Sequence, residues 1–246
     1  MSRYNLRYQI SLFADFSTLS PSDEIYSQLE SAYTDSNLMR VPFTENTISE
    51  AGTVTRDCVK VTSSDNAIAI EFRSDRVIFT WLNTDINQSV EKSIGVFTDN
   101  ILDVIQRVDI LKDTLYRRIG YVRYSLFDSP TPDDVHSYMN KAIPFLQSAQ
   151  KRERVNYMPS RYTDGRGEEY NIVTTIKHTN GPLKKDGVVQ LFDGVFLSID
   201  VNTLDEQRIG VYNHENVKSK LSTLRDIERK VSSQYLELLN GISHAE

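Results

Sequence analysis

The sequence predicts an α+β fold, a curved antiparallel sheet of roughly eight to ten strands with helices gathered on one face. Three observations predict it. Residues 4–14 alternate cleanly: Tyr4, Leu6, Tyr8, Ile10 and Leu12 point one way, and Arg3, Asn5, Arg7, Gln9 and Ser11 the other. Two long segments carry apolar residues at spacings of three and four, the mark of a helix with one buried face. The order strand, short helix, three or four strands, long helix occurs twice.

The first half, 1–113, opens with the alternating strand. A helix over about 22–34 follows, with Ile25, Leu29 and Tyr33 on one stripe. Its start, Ser20-Pro21-Ser22-Asp23, offers Ser20 as cap, Pro21 where no N–H is needed, and Asp23 at the positive helix end. Residues 38–43 suit a short edge strand interrupted by Pro42. Strands near 53–62, 66–73 and 76–83 come next, the last two joined by a tight turn at Ser74-Asp75. A helix over about 89–112 closes the half, burying Ile94, Phe97, Ile101, Val104, Ile105, Val108 and Leu111.

The second half, 114–246, repeats this order. A strand over 115–127 leads to a short helix over 132–143, capped at Thr131-Pro132-Asp133-Asp134. Strands near 152–159, 168–178, 187–192 and 194–201 follow, with Asp193-Gly194 as the hairpin turn between the last two. The final helix, about 214–240, carries Val217, Leu221, Leu224, Ile227, Val231, Tyr235 and Leu238. Sequence markers run in parallel. RYNLRYQISLF at 3–13 matches RRIGYVRYSLF at 117–127, 77–81 matches 195–199, and 94–97 matches 209–212. The two halves are therefore expected to form one continuous domain about a pseudo-twofold axis.

The strand at 117–127 contains Arg118-Ile-Gly120-Tyr-Val-Arg123-Tyr124. It resembles the Arg-x-Gly-x-Arg-Tyr signature of a sporadically distributed bacterial family of about 250 residues with no established activity, with one residue more inside the motif. The resemblance implies a bacterial or phage origin and supplies no catalytic residues. The duplicated element order resembles that of the TATA-box-binding-protein fold, which implies the architecture alone.

Composition narrows the function classes. Hydrophobic residues make up 39% and charged residues 25%, the profile of a globular protein, and no apolar run is long enough to span a membrane. The first residues lack the apolar stretch of a signal peptide, so a cytoplasmic location is expected. The single Cys58 excludes an intramolecular disulfide and a cysteine zinc cluster. The net charge of −6 argues against a general nucleic-acid coat. It is uneven: 1–113 holds 10 Lys+Arg against 17 Asp+Glu, while 114–246 holds 18 against 17. The most basic window is 151–166.

No sequence constellation points to catalysis. His136, His178, His214 and His244 form no metal-binding spacing, Cys58 lies in a strand-like segment, and no serine elbow or phosphate loop is present. Asp99 and Asp103, one helical turn apart, suit a solvated face. No cofactor and no metal are expected, and an enzyme is the less favoured class.

The arginines are the candidates for binding. Arg3 and Arg7 share a face by alternation, and Arg117 and Arg123 share the equivalent face of the second half. With helices on the Tyr4/Leu6/Tyr8 side, these arginines stand on the open sheet face. Arg166 occupies a glycine-flanked loop tip, Asp164-Gly-Arg166-Gly. The expectation is a non-enzymatic binding or adaptor protein contacting a protein partner through Arg3, Arg7, Arg117, Arg123 and Arg166. Nucleic-acid binding through the concave sheet and an enzyme with an unrecognised site are the alternatives. The sequence leaves the oligomeric state open.

Overall fold

The computed structural model describes residues 3–33, 37–49, 52–84, 90–127, 155–204 and 212–242. Strand β1 (Arg3–Phe13) leads to helix α1 (Asp23–Ala32), then β2 (Leu38–Arg40), β3 (Thr44–Ser49), β4 (Gly52–Asp57), β5 (Lys60–Ser63), β6 (Ile68–Phe72) and β7 (Arg76–Leu82). Helices α2 (Val90–Arg107) and α3 (Asp109–Lys112) precede β8 (Arg118–Phe127). Then come β9 (Val155–Thr163), β10 (Glu169–Lys185), β11 (Val188–Thr203) and the long helix α4 (His214–Ile242).

Nine strands form one sheet in the order β2-β5-β6-β7-β1-β8-β11-β10-β9, and every pairing is antiparallel. The first strand of each half lies at the centre. Reading outward, β1 is followed by β7, β6 and β5, and β8 by β11, β10 and β9. The 77–81 marker lies on β7 and the 195–199 marker on β11, each beside its own central strand. The last pair of markers behaves differently: Ile94 and Phe97 are buried within α2, while Tyr212 forms a bridge with Tyr116 ahead of α4.

The core lies between this sheet and the helices. One row across the sheet shows how the alternation builds it. Ile70, Phe79, Ile10, Tyr121, Val201 and Ile172 sit opposite one another on successive strands, all buried. Helix α2 covers this layer with Phe97, Ile101, Val104 and Ile105, and α4 with Val217, Leu221, Leu224 and Ile227. Burying each such side chain contributes about 1.5–3 kcal/mol. The predicted stripe on α4 continues through the partly buried Val231 and Tyr235.

Several predicted boundaries are corrected. The turn between β10 and β11 is Asp186-Gly187, since Lys185 pairs with Val188. Both turn residues take positive φ, 51° and 75°, as a tight hairpin requires. Asp193 and Gly194 lie inside β11. At Gly194 a Cβ would lie 2.2 Å from the Phe127 carbonyl oxygen, so close strand packing is what needs glycine there. The predicted strand 53–62 divides at Cys58 into β4 and β5, and β3–β4 is a separate hairpin that the alternation missed. The cap of α1 is Ser22, whose hydroxyl accepts the Ile25 N–H at 3.3 Å. The helix expected over 89–112 breaks at Val108, where the Gln28 amide grips Asp109 through both its backbone N–H and its carboxylate. The helix predicted over 132–143 lies outside the described residues.

Candidate functional site

A β-bulge in the central strand decides which arginines face outward. From Phe13 back to Arg7, β1 pairs with β8 in one register, and from Asn5 to Arg3 in a register shifted by one, leaving Leu6 as the extra residue. Asn83, at the end of β7, holds the bulge. Its backbone N–H donates to the Leu6 carbonyl at 2.8 Å and its side-chain amide to the Asn5 carbonyl at 2.9 Å. An extra residue flips the faces before it. Arg7 therefore points to the open face, while Asn5 and Arg3 turn under the helices.

This corrects the expectation that Arg3 and Arg7 share a face. Arg3 donates to the Ser125 hydroxyl from Nε at 3.2 Å and Nη2 at 3.1 Å, lies 3.7 Å from Glu228 of α4, and stacks over the core ring of Phe127. Arg123 is corrected as well. It sits opposite Tyr8 on the core face and is only 5% exposed. Its Nε donates to Asn5 Oδ1 at 2.7 Å and its Nη1 to Glu228 Oε2 at 3.2 Å. Burial would lower the Arg123 pKa, but the Glu228 carboxylate together with the Tyr8 and Tyr121 phenols holds it raised. Burial, with Glu228 adding, pushes the Tyr121 phenol far above its ordinary range. Arg123 and Glu228 thus form an interior ion pair joining β8 to α4, with no open surface for a partner.

The other two candidates lie apart. Arg117 precedes β8, half-buried, and its backbone N–H donates to the Phe13 carbonyl at 2.9 Å. Its charge adds to the Ser17 hydrogen bonds that hold the Asp15 carboxyl below its usual range. Arg166 is 74% exposed at its loop tip, 3.6 Å from Asp164. The backbone N–H groups of Glu168 and Arg166 hold the Asp164 carboxyl low.

On the open face the structure assembles cations and rings that alternation alone did not single out. Phe13 lies between two guanidiniums, Arg76 at 5.2 Å and Arg118 at 4.5 Å from its centroid. Arg7 lies over Tyr124 at 5.3 Å, Tyr124 packs on Phe196 at 5.9 Å, and Lys177 covers Phe196 at 4.8 Å. Tyr4 meets Phe192 edge-on at 6.4 Å, and Lys185 lies over Tyr4 at 5.1 Å. The register explains the rows: Phe13 is opposite Arg76 and Arg118, Arg7 opposite Tyr124, and Phe196 opposite Lys177. The bulge brings Tyr4 onto this face, opposite Leu126.

The carboxylates among these cations are engaged. Glu71 binds Lys60 at 3.2 Å and Arg73 at 2.6 Å. Asp200 accepts from the Asn202 amide at 2.6 Å, and Asn202 in turn accepts from Arg118 at 2.9 Å. Burial raises the Asp200 pKa, opposed by that hydrogen bond and by Arg118. Arg7 donates to Gln9 at 2.7 Å, while its Nε makes no hydrogen bond. The face therefore combines flat rings with guanidinium and ammonium heads, a surface suited to carboxylates or phosphates.

Arg118 was legible in the sequence, since it must face opposite Arg117 and Arg123 on a regular strand. Glu228 was legible too, as a charged residue four after Leu224 on an apolar stripe. The bulge carried no such signal.

Among the described residues no group of three or more His, Cys, Asp or Glu side chains is placed to hold a metal ion, and no helix is long and apolar enough to cross a membrane. No family model matches the chain, and no curated protein matches it.

Proposed function

We propose that the protein is a non-enzymatic binding protein whose open sheet face docks an acidic segment of a protein partner. The rows Arg76–Phe13–Arg118 and Arg7–Tyr124–Phe196–Lys177 carry this reading. The rings support the cations, Phe13 two of them and Tyr124 and Phe196 one each, which preorganises the charge and lowers the entropy lost when a carboxylate binds. Guanidinium forks accept carboxylates in pairs of hydrogen bonds, and aromatic and arginine side chains are the residue types that dominate protein interfaces. This replaces the sequence-based set of five arginines with Arg7, Arg118, Arg76, Lys177 and their rings.

The same alternation of cations and rings also suits single-stranded nucleic acid, whose bases stack on aromatic side chains. The net charge of −6 opposes an extended polyanion more than a short acidic segment, which places this reading second. Fluorescence anisotropy with labelled oligoglutamate and oligothymidylate, across a sodium chloride series, separates the two. The protein reading expects oligoglutamate to bind and Arg7→Glu with Arg118→Glu to abolish it. Preferential capture of oligothymidylate with a steep salt dependence reverses the order.

A further inference from the structure

We infer that the concavity at the base of the β10–β11 hairpin receives an apolar anchor side chain, aromatic or leucine-sized, that is flanked by carboxylates on the docked segment. The inference rests on the open-face reading and names the chemistry that reading leaves open. The concavity encloses about 310 Å³. That is the lower end of the range for ligand pockets, room for one large side chain. Its apolar walls are Leu6, Leu126, Phe192 and Phe196. Leu126 and Phe192 are already buried, so an inserted ring meets packed surface.

Two features of the backbone build this space. The bulge at Leu6 directs a leucine into it from a strand otherwise carrying Arg7 and Gln9 on this face. Gly194 lets Phe192 lie across the strand, since a Cβ there would stand 2.7 Å from the Phe192 ring. The mouth is cationic. Lys177 lines it, with its ammonium over Phe196, and the Lys185 ammonium lies 3.4 Å from the Tyr4 hydroxyl beside it. No carboxylate lines the concavity among the described residues. An apolar interior with ammonium groups at its edge favours an apolar side chain between acidic neighbours and repels one between basic neighbours.

The test uses the full chain, labelled with nitrogen-15, and three capped pentapeptides. The first has phenylalanine between pairs of glutamates, the second has alanine at the centre, and the third has phenylalanine between pairs of lysines. The first peptide is expected to shift the amide resonances of Thr179, Gly181, Leu183 and Gly194, and to bind about tenfold tighter than the second. Lys177→Glu should lose most of that affinity with only a slight fall in melting temperature, the scale of one lost cation–ring contact, and Lys177→Gln should lose part of it. Equal affinities for the first two peptides, with shifts confined to Arg7, Arg118 and Tyr124, would overturn the anchor and leave the open-face reading standing. Binding of the lysine peptide as tightly as the first would overturn the charge selection. Failure of both acidic peptides to bind would remove the open-face reading with it.

Discussion

Arg3 and Arg7 stand four residues apart on one strand, and the sheet separates them completely. Arg7 lies over Tyr124 on the open face, whereas Arg3 reaches Ser125 and Glu228 beneath α4. Arg123 joins Arg3 on the inner side. The same residue type thus does two kinds of physical work. Inside, a guanidinium is held by fixed partners in a poorly solvated layer, so losing any partner strands a charge. Outside, it rests half-exposed over a ring, so its removal costs the fold little.

The largest expected effect breaks the inner region. Glu228→Ala leaves Arg123 buried and unpaired, which should cost about 3–5 kcal/mol. Urea denaturation should show a much lower midpoint with an unchanged slope. The double replacement Arg123→Met with Glu228→Leu removes both charges and should recover most of that loss. A midpoint for Glu228→Ala equal to the wild type would mean that the pair is not the tie between β8 and α4.

The bulge explains why this contrast escaped the sequence. Period-two alternation correctly placed Tyr8, Ile10 and Leu12 in the core, and period three-to-four placed Leu221, Leu224 and Ile227 there. Both patterns depend on regular backbone. One extra residue at Leu6 inverts the alternation for the first turn of the strand, and neither Asn5 nor Leu6 is a residue type that announces a bulge. The face of Arg123 was legible, since it follows Ile119 and Tyr121 at even spacing, and reading it as open overrode that parity in favour of a charge-outside rule. Buried arginine needs a partner, and Glu228 on the apolar stripe of α4 was the partner in plain sight. The rows of cations and rings depended on strand register, which joins residues far apart in sequence and is set by tertiary pairing.

Asn83→Ala sharpens the comparison at its hinge. It removes the amide that holds the Asn5 carbonyl while leaving the Asn83 backbone bond to Leu6. A buried acceptor left without its donor costs about 1–3 kcal/mol. Hydrogen exchange should then quicken at the N-terminal end of β1 more than at Ile10–Leu12. Uniform exchange along the strand would show that the bulge holds its shape without Asn83.

Asp200 offers a smaller, pH-dependent probe of the outer face. Its folded pKa is raised, mainly by burial. Its contribution to stability is therefore fully present below its unfolded value of about 3.9 and is lost as the pH rises through the folded value. At neutral pH the charged carboxylate weakens the fold. Asp200→Asn keeps an oxygen for the Asn202 amide and removes the buried charge, so it should stabilise the fold modestly at pH 7. Thermal melts in an acid series should show that gain shrinking as the pH falls toward the unfolded value. A gain that grows in acid would reverse the assignment.

The smallest effect on stability belongs to Arg7→Ala, and it separates the two faces most cleanly. The substitution removes one contact with Tyr124 and one hydrogen bond to Gln9. A half-exposed cation over a ring contributes about 0.5–1 kcal/mol, so the melting temperature should fall slightly. Arg123→Ala, on the neighbouring strand, should cost several times more, because Glu228 is then left charged in the interior. Binding should rank the two in the opposite order. Arg7→Ala exposes Tyr124 without its cation and should weaken capture of the acidic phenylalanine peptide severalfold, whereas any Arg123→Ala protein that remains folded should bind it as the wild type does. Equal loss of binding in both would mean that the inner pair shapes the outer face through the sheet, and that the two regions are one device.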